Sequence, residues 1–170
     1  LTMFVAGTTD LFSQSMNKRT EETPQSVIAN VHKAAQLLKE KGSEALAVLT
    51  DPKSEFNDRD AYIFIIDVDK SLVVSNPRFP ERTGGNIREH LDWSGKHYGV
   101  GLCEVAMCGG GWIEFVWPKP GTEKGVRKVS YIYPIPGMRY TVCAGIYNDS
   151  MTLDELNALT GHGKKKVAVI

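Results

Sequence analysis

Between residues 27 and 38 the apolar positions recur with a helical period. Val27, Ile28, Val31, Ala34, Ala35 and Leu38 fall on one stripe of a 3.6-residue repeat. Thr23-Pro24 supplies the start, the threonine as cap and the proline in the first turn. Lys39 and Lys41 suit the negative end of the helix, and Gly42 stops it. A weaker stripe of Phe4, Val5, Leu11, Phe12 and Met16 predicts a helical segment over 4–20. A short helix over 44–49 ends at Asp51-Pro52, because proline disfavours helix in the residue before it.

The period then shortens to two. Tyr62, Phe64 and Ile66 share one face of an aromatic and β-branched run, and residues 72–74 answer it across the polar DVDKS at 67–71. This predicts a hairpin. Residues 78–98 are polar and read as loop with one short helix. A short helix over 102–107 ends at the glycines 109–111, and strands follow over 112–117, 128–133 and 139–147. Pro118 stops the first of these, and PIPG at 134–137 turns the chain between the last two. Helices come first, then strands joined by turns. That order predicts an α+β domain with an antiparallel sheet. Residues 1–25 read as an N-terminal helical segment, 26–149 as the domain and 150–170 as a polar tail.

A chain of 170 residues with 42% hydrophobic content is long and apolar enough for one core. Its 20 basic and 20 acidic residues cancel, so no nucleic-acid partner is expected, and the lysines 164–166 read as a solvated run. The chain opens on Leu1, which reads as processed or excised from something longer. Three cysteines with no CxxC spacing read as buried thiols, against the alternative of one disulfide with a thiol left over.

Phosphate chemistry finds no place, because the triple glycine follows a helix and precedes a strand, the reverse of a phosphate loop. DVDKS begins like a calcium loop, but Leu72 and Arg78 stand where glycine and glutamate are needed. Neither GxSxG nor HExxH occurs. No cofactor or metal is expected. Cys103 or Cys108 with His90 or His97 upstream leaves a cysteine-dependent enzyme as one alternative. A ligand-free dimerisation domain is another. The strands are rich in rings with polar handles, which suit either a ligand pocket or an ordinary aromatic core.

An ordered series of stretches carries a family resemblance. It runs through GSEAL at 42–46, DP at 51–52, YIFIIDVD at 62–69, SNP at 75–77, GGNI at 84–87, DWSG at 92–95, GWIEFVWPKP at 111–120, KVSY at 128–131 and GIY at 145–147. Over about residues 26–149 the chain resembles the single-Cache group of the Cache family of extracytoplasmic sensor domains. The resemblance implies a PAS-like fold, a long N-terminal helix on a five-stranded antiparallel sheet. It also implies a pocket between the sheet and the segments after the second strand. The expected function is binding of a small organic acid or similar metabolite in signal transduction and chemotaxis, outside the cytoplasm. A membrane-bound signalling protein is the expected partner, with a homodimer through the N-terminal helix.

Phe64, Phe115 and Trp117 are the walls that the resemblance favours. Lys128 is expected to hold an anionic group, since a partly buried ammonium wants a counter-charge. Asn76 and Tyr131 are candidate hydrogen-bonding groups, and Trp93 and His97 close the pocket from the loop side. Alternation puts Tyr131 on the face opposite Lys128, and which face meets the pocket stays open at this point. The chain departs from the family at Lys70, where glycine is usual, and at Asn76-Pro77, where His-Pro is frequent. Its tail is too polar for a membrane helix, which points to a stand-alone periplasmic version.

Overall fold

The computed structural model describes residues 22–57, 60–119 and 121–162. The helix expected over 4–20 and the lysines 164–166 lie outside these residues. Helix α1 spans Pro24–Lys41. Its start is a capping box: Thr23 Oγ1 accepts the Ser26 N–H at 3.1 Å and Ser26 Oγ accepts the Thr23 N–H at 3.0 Å. Gly42 ends it at φ 58°, donating its N–H to the Leu38 carbonyl. The short helix α2, Leu46–Thr50, follows a 3-10 turn at Gly42–Ala45. Buried Asn57 then ties this region to the sheet. Its amide donates to the Leu49 and Asp51 carbonyls at 2.9 Å, and its carbonyl accepts the Ile63 N–H at 2.9 Å.

Five strands make one antiparallel sheet: β1 Ile63–Asp67, β2 Leu72–Ser75, β3 Gly111–Pro118, β4 Gly125–Pro134 and β5 Tyr140–Tyr147. Their order is β2-β1-β5-β4-β3, so the last strand lies in the middle. This is the expected helix-plus-sheet architecture. The β1–β2 turn holds one residue at positive φ, but it is Ser71 (φ 51°) and not Lys70. Asp67 Oδ1 accepts the Lys70 N–H at 3.1 Å and closes the turn from its own side chain.

Two helices differ from the sequence reading. Helix α3 spans Tyr98–Met107 and so starts before residue 102, because Gly99 and Gly101 interrupt the apolar pattern without interrupting the helix. The tail also contains helix α4, Leu153–Leu159, opened by a Thr152/Glu155 capping box. Leu156 is buried, and Asn157 Oδ1 accepts the Trp112 N–H at 2.8 Å, so α4 is fastened to β3.

The sheet divides the core. On one face α1 buries Val27, Val31, Ala34, Ala35 and Leu38 against Ile63, Ile65, Val129, Val142, Ala144 and Ile146. Each Val, Leu or Ile among them contributes about 1.5–3 kcal/mol on burial, and the alanines less, which makes this face the main source of cohesion. The other face is covered by α3 and by the irregular segment 76–97. That segment also guards both sheet edges. Gly84 and Gly85 bond Val73 on β2, while Trp93 N–H donates to the Val116 carbonyl and Asp92 Oδ2 accepts the Val116 N–H on β3.

Candidate functional site

Strand alternation sends Tyr62, Phe64, Phe115, Trp117, Lys128, Ser130 and Tyr147 to the loop-covered face. In register, Lys128 lies between Phe115 on β3 and Tyr147 on β5. Beside it is Gly145, where a Cβ would meet Ser130 Oγ at 2.1 Å and Lys128 Cε at 3.0 Å. Without that side chain the lysine lies across β5. Its Nζ stands 4.5 Å from the Tyr62 ring centroid and 5.3 Å from that of Tyr147.

Lys128 is 2% exposed, and among the described residues no carboxylate bonds its ammonium. Burial pulls its pKa down to about 7; exposed Asp60 opposes the shift and Arg78 adds to it. The flanking phenols do not serve as counter-ions. Burial pushes Tyr147 up to about 12 and Tyr62 higher still, so both stay neutral near neutral pH. What holds the ammonium is the π-faces of two rings.

From the loop, Arg82 adds a second cation. Its guanidinium stacks 4.7 Å from the Trp117 ring and 5.6 Å from the Phe79 ring, and donates to the Tyr98 hydroxyl at 3.1 Å. Tyr98, the first residue of α3, stacks on Phe115 with centroids 4.9 Å apart. Trp117 Nε1 and Ser130 Oγ are buried on this face without a hydrogen-bond partner among the described residues. Above the aromatic layer opens a cleft of about 560 Å³. Tyr62, Phe79, Trp93, Pro118 and Tyr147 form its ring-bearing walls, and Arg78, Lys119 and Glu123 are its charged lining. Such a volume with apolar walls and few charged groups suits a small-molecule ligand.

Of the residues expected from sequence, Phe64, Phe115, Trp117 and Lys128 meet on this face, and Trp93 stands at the rim. Asn76 shapes the loop instead: its Oδ1 accepts the Phe79 N–H at 3.0 Å, so it positions a wall without lining the cleft. His97 is exposed, its Nδ1 3.2 Å from the Arg88 carbonyl, and the neighbouring Tyr98 takes the inward position. Tyr131 corrects an expectation. Period-two alternation sends it to the α1 face, where its hydroxyl is 3.4 Å from His32 Nε2 and its ring 5.5 Å from that of Trp112.

Tyr62, Arg78, Phe79, Arg82, Tyr98 and Tyr147 were not singled out from sequence. Tyr62 was legible through its shared face with Phe64. Tyr147 becomes a neighbour of Lys128 only through the β4–β5 register, and the cation–aromatic run Arg78-Phe79…Arg82 lies in the segment read as loop with one short helix. The cysteines are not paired in disulfides. Burial raises the Cys103 and Cys143 thiols, the opposite of an activated thiolate.

Comparison with known proteins places this geometry. A family model described as Cache domain matches residues 13–152. A sensor histidine kinase of Rhizobium johnstonii is 29% identical over 103 residues, which is 61% of this chain and 22% of the kinase. The matched region thus spans about a fifth of that relative. Among solved structures, a periplasmic sensor domain of a chemotaxis protein is 23% identical with a TM-score of 0.62, covering 78% of this chain and 99% of the other. A Cache chemosensory domain described by its recognition of carboxylic acids is 22% identical with a TM-score of 0.54, covering 84% and 100%. A methyl-accepting chemotaxis protein from Vibrio parahaemolyticus is 21% identical with a TM-score of 0.58, covering 79% and 92%. Among the described residues no helix is long and apolar enough to cross a membrane.

Proposed function

This chain belongs to the Cache domain family, and on that premise we propose that it is an extracytoplasmic sensory domain for a small molecule bearing a carboxylate. The observation that carries the reading is Lys128, a buried ammonium held by two rings and bonded to no carboxylate of the described chain. Burying a charge without a counter-ion costs several kcal/mol. An incoming carboxylate at the Tyr62–Tyr147 gap supplies the missing charge and recovers part of that cost. Lys119 on the cleft wall adds attraction for the same sign of ligand. The structural relative described by carboxylic acid recognition supports the ligand class.

Occupancy of the cleft pulls on the segment 76–97 and on the sheet, while α1 packs the opposite sheet face. A ligand that favours one packing of these layers shifts a two-state equilibrium by its differential affinity. The kinase and chemotaxis relatives support a membrane-bound signalling partner as the reader of that shift.

A thermal-shift and calorimetric screen of carboxylates at pH 6 tests the proposal. At a hundredfold excess over Kd a true ligand adds about 2.7 kcal/mol to stability and raises Tm. The expected result is a Tm rise with at least one carboxylate and none with the matching amide. No shift with any carboxylate overturns it.

A further inference from the structure

We infer that the preferred ligand is an aryl carboxylate, its ring held between Trp93 and the Phe79 and Tyr147 rings and its carboxylate at Lys128. This rests on the carboxylate reading above and adds the body of the molecule to it.

Size is the first argument. An acid of two or three carbons has the bulk of a few water molecules, each taking about 30 Å³. The cleft offers about 560 Å³. A two-carbon acid reaching Lys128 leaves most of the wall uncovered.

The second argument is how Trp93 is held. It is 51% exposed, which is rare for so large an apolar side chain, yet it is fixed in place. Its Nε1–H donates to the Glu123 carbonyl at 2.9 Å, and its ring meets Trp117 edge-on at 6.2 Å. The fold also makes room beneath it at Gly125, where a Cβ would come within 3.1 Å of Trp93 Cβ and 3.2 Å of Cδ1. An indole anchored at its polar atom and left bare at a cleft mouth is preorganised for stacking.

The third argument is charge. A cage of rings alone also suits a quaternary ammonium. Here Lys119 lines the cleft, Lys128 lies beneath it, and Glu123 is the acidic residue of the described lining. The balance repels a cation and favours an anion with an apolar, planar body.

Calorimetry on the whole chain at pH 6 with benzoate, phenylacetate, cyclohexanecarboxylate, acetate and propionate decides the matter. The expected result is at least tenfold tighter binding of an aryl acid than of acetate, and several-fold tighter binding than of the saturated ring. Trp93→Leu removes most of the aryl advantage, so that the ratio of benzoate to acetate affinity falls towards one. Gly125→Ala, whose added Cβ presses on Val116 Cγ1 at 2.6 Å and on Trp93 at 3.1 and 3.2 Å, shifts the indole without deleting it, does the same and guards against a loss peculiar to one variant. Equal binding of acetate and benzoate, or an unchanged ratio in both variants, overturns the inference and leaves the carboxylate site standing. Absence of binding by all five acids overturns the carboxylate reading itself.

Discussion

Against α1 the sheet presents Ile63, Ile65, Val129, Val142, Ala144 and Ile146, all 2% exposed or less, and the helix answers with Val27, Val31, Ala34 and Leu38 at 0%. Against the segment 76–97 the same strands present Tyr62, Phe64, Phe115, Trp117, Lys128 and Tyr147, with an ammonium in the layer and a cleft above it. A helix brings a regular apolar stripe, and two regular surfaces close on each other at crystal-like density. An irregular cover brings rings, guanidinium groups and backbone turns at uneven heights, so it closes over part of the sheet and leaves space over the rest. Cohesion is concentrated on the first face, and the second keeps a group that costs stability. On the proposed reading, the molecule separates holding together from binding by using opposite sides of one sheet.

The largest effect expected from this division is on the helix side. Leu38→Ala empties a fully buried position and lowers unfolding free energy by about 2–5 kcal/mol in a urea titration. Carboxylate affinity of the folded fraction stays within twofold. A parallel loss of affinity would show that the faces are coupled and break the comparison.

Lys128→Met acts in the opposite sense. Methionine fills a similar volume without the charge, so stability holds or rises by about 1–4 kcal/mol, as when buried charges elsewhere are replaced by apolar groups. Carboxylate binding falls at least a hundredfold. Destabilisation by this change would mean that the ammonium over the Tyr62 and Tyr147 rings is a structural cation–π anchor and not a binding group.

How legible these features were depended on whether the signal was local. The stripe from Val27 to Leu38, the Thr23 cap and the Gly42 stop are contained within one helix, and the reading matched the observed bounds of Pro24–Lys41. The alternation that separates Trp112 and Glu114 from Phe115 and Trp117 is equally local. Trp112 is buried on the α1 face, and Glu114 pairs with Arg127 at 2.7 Å on the outside. Helix α4 was local too: Thr152 and Glu155 form a capping box ahead of Leu153 and Leu156, but the polar composition around them hid it. The site was less accessible because it is built from register and loop path. Lys128 is named from its type and strand alone, whereas Tyr147 becomes its neighbour through strand pairing across some twenty residues of sequence. Tyr131 was misassigned for a different reason: residue type suggested a hydrogen bond, although local alternation already put it on the opposite face from Lys128.

The effect that is smallest per step, since it accrues pH unit by pH unit, is also the most specific to the loop face. Lys128 has a folded pKa of about 7 against an ordinary 10.5. Between those values the unfolded chain holds a proton that the native chain does not. Unliganded stability therefore rises with pH across that window, with a slope of up to about 1.4 kcal/mol per pH unit. Carboxylate binding needs the charged ammonium, so it has the opposite dependence. Kd is flat below about pH 7 and weakens by up to about tenfold per unit above it. Burial sets most of this shift, Asp60 opposes it and Arg78 adds to it, while the phenols of Tyr62 and Tyr147 titrate far above. Calorimetry from pH 6 to pH 9 on the parent chain and on Leu38→Ala should give the same slope, because the helix face does not touch the ammonium. Lys128→Met should abolish the rise in stability with pH. A flat Kd in the parent would remove the ammonium as the partner of the anion, and a slope altered by Leu38→Ala would show that the two faces of the sheet are not independent.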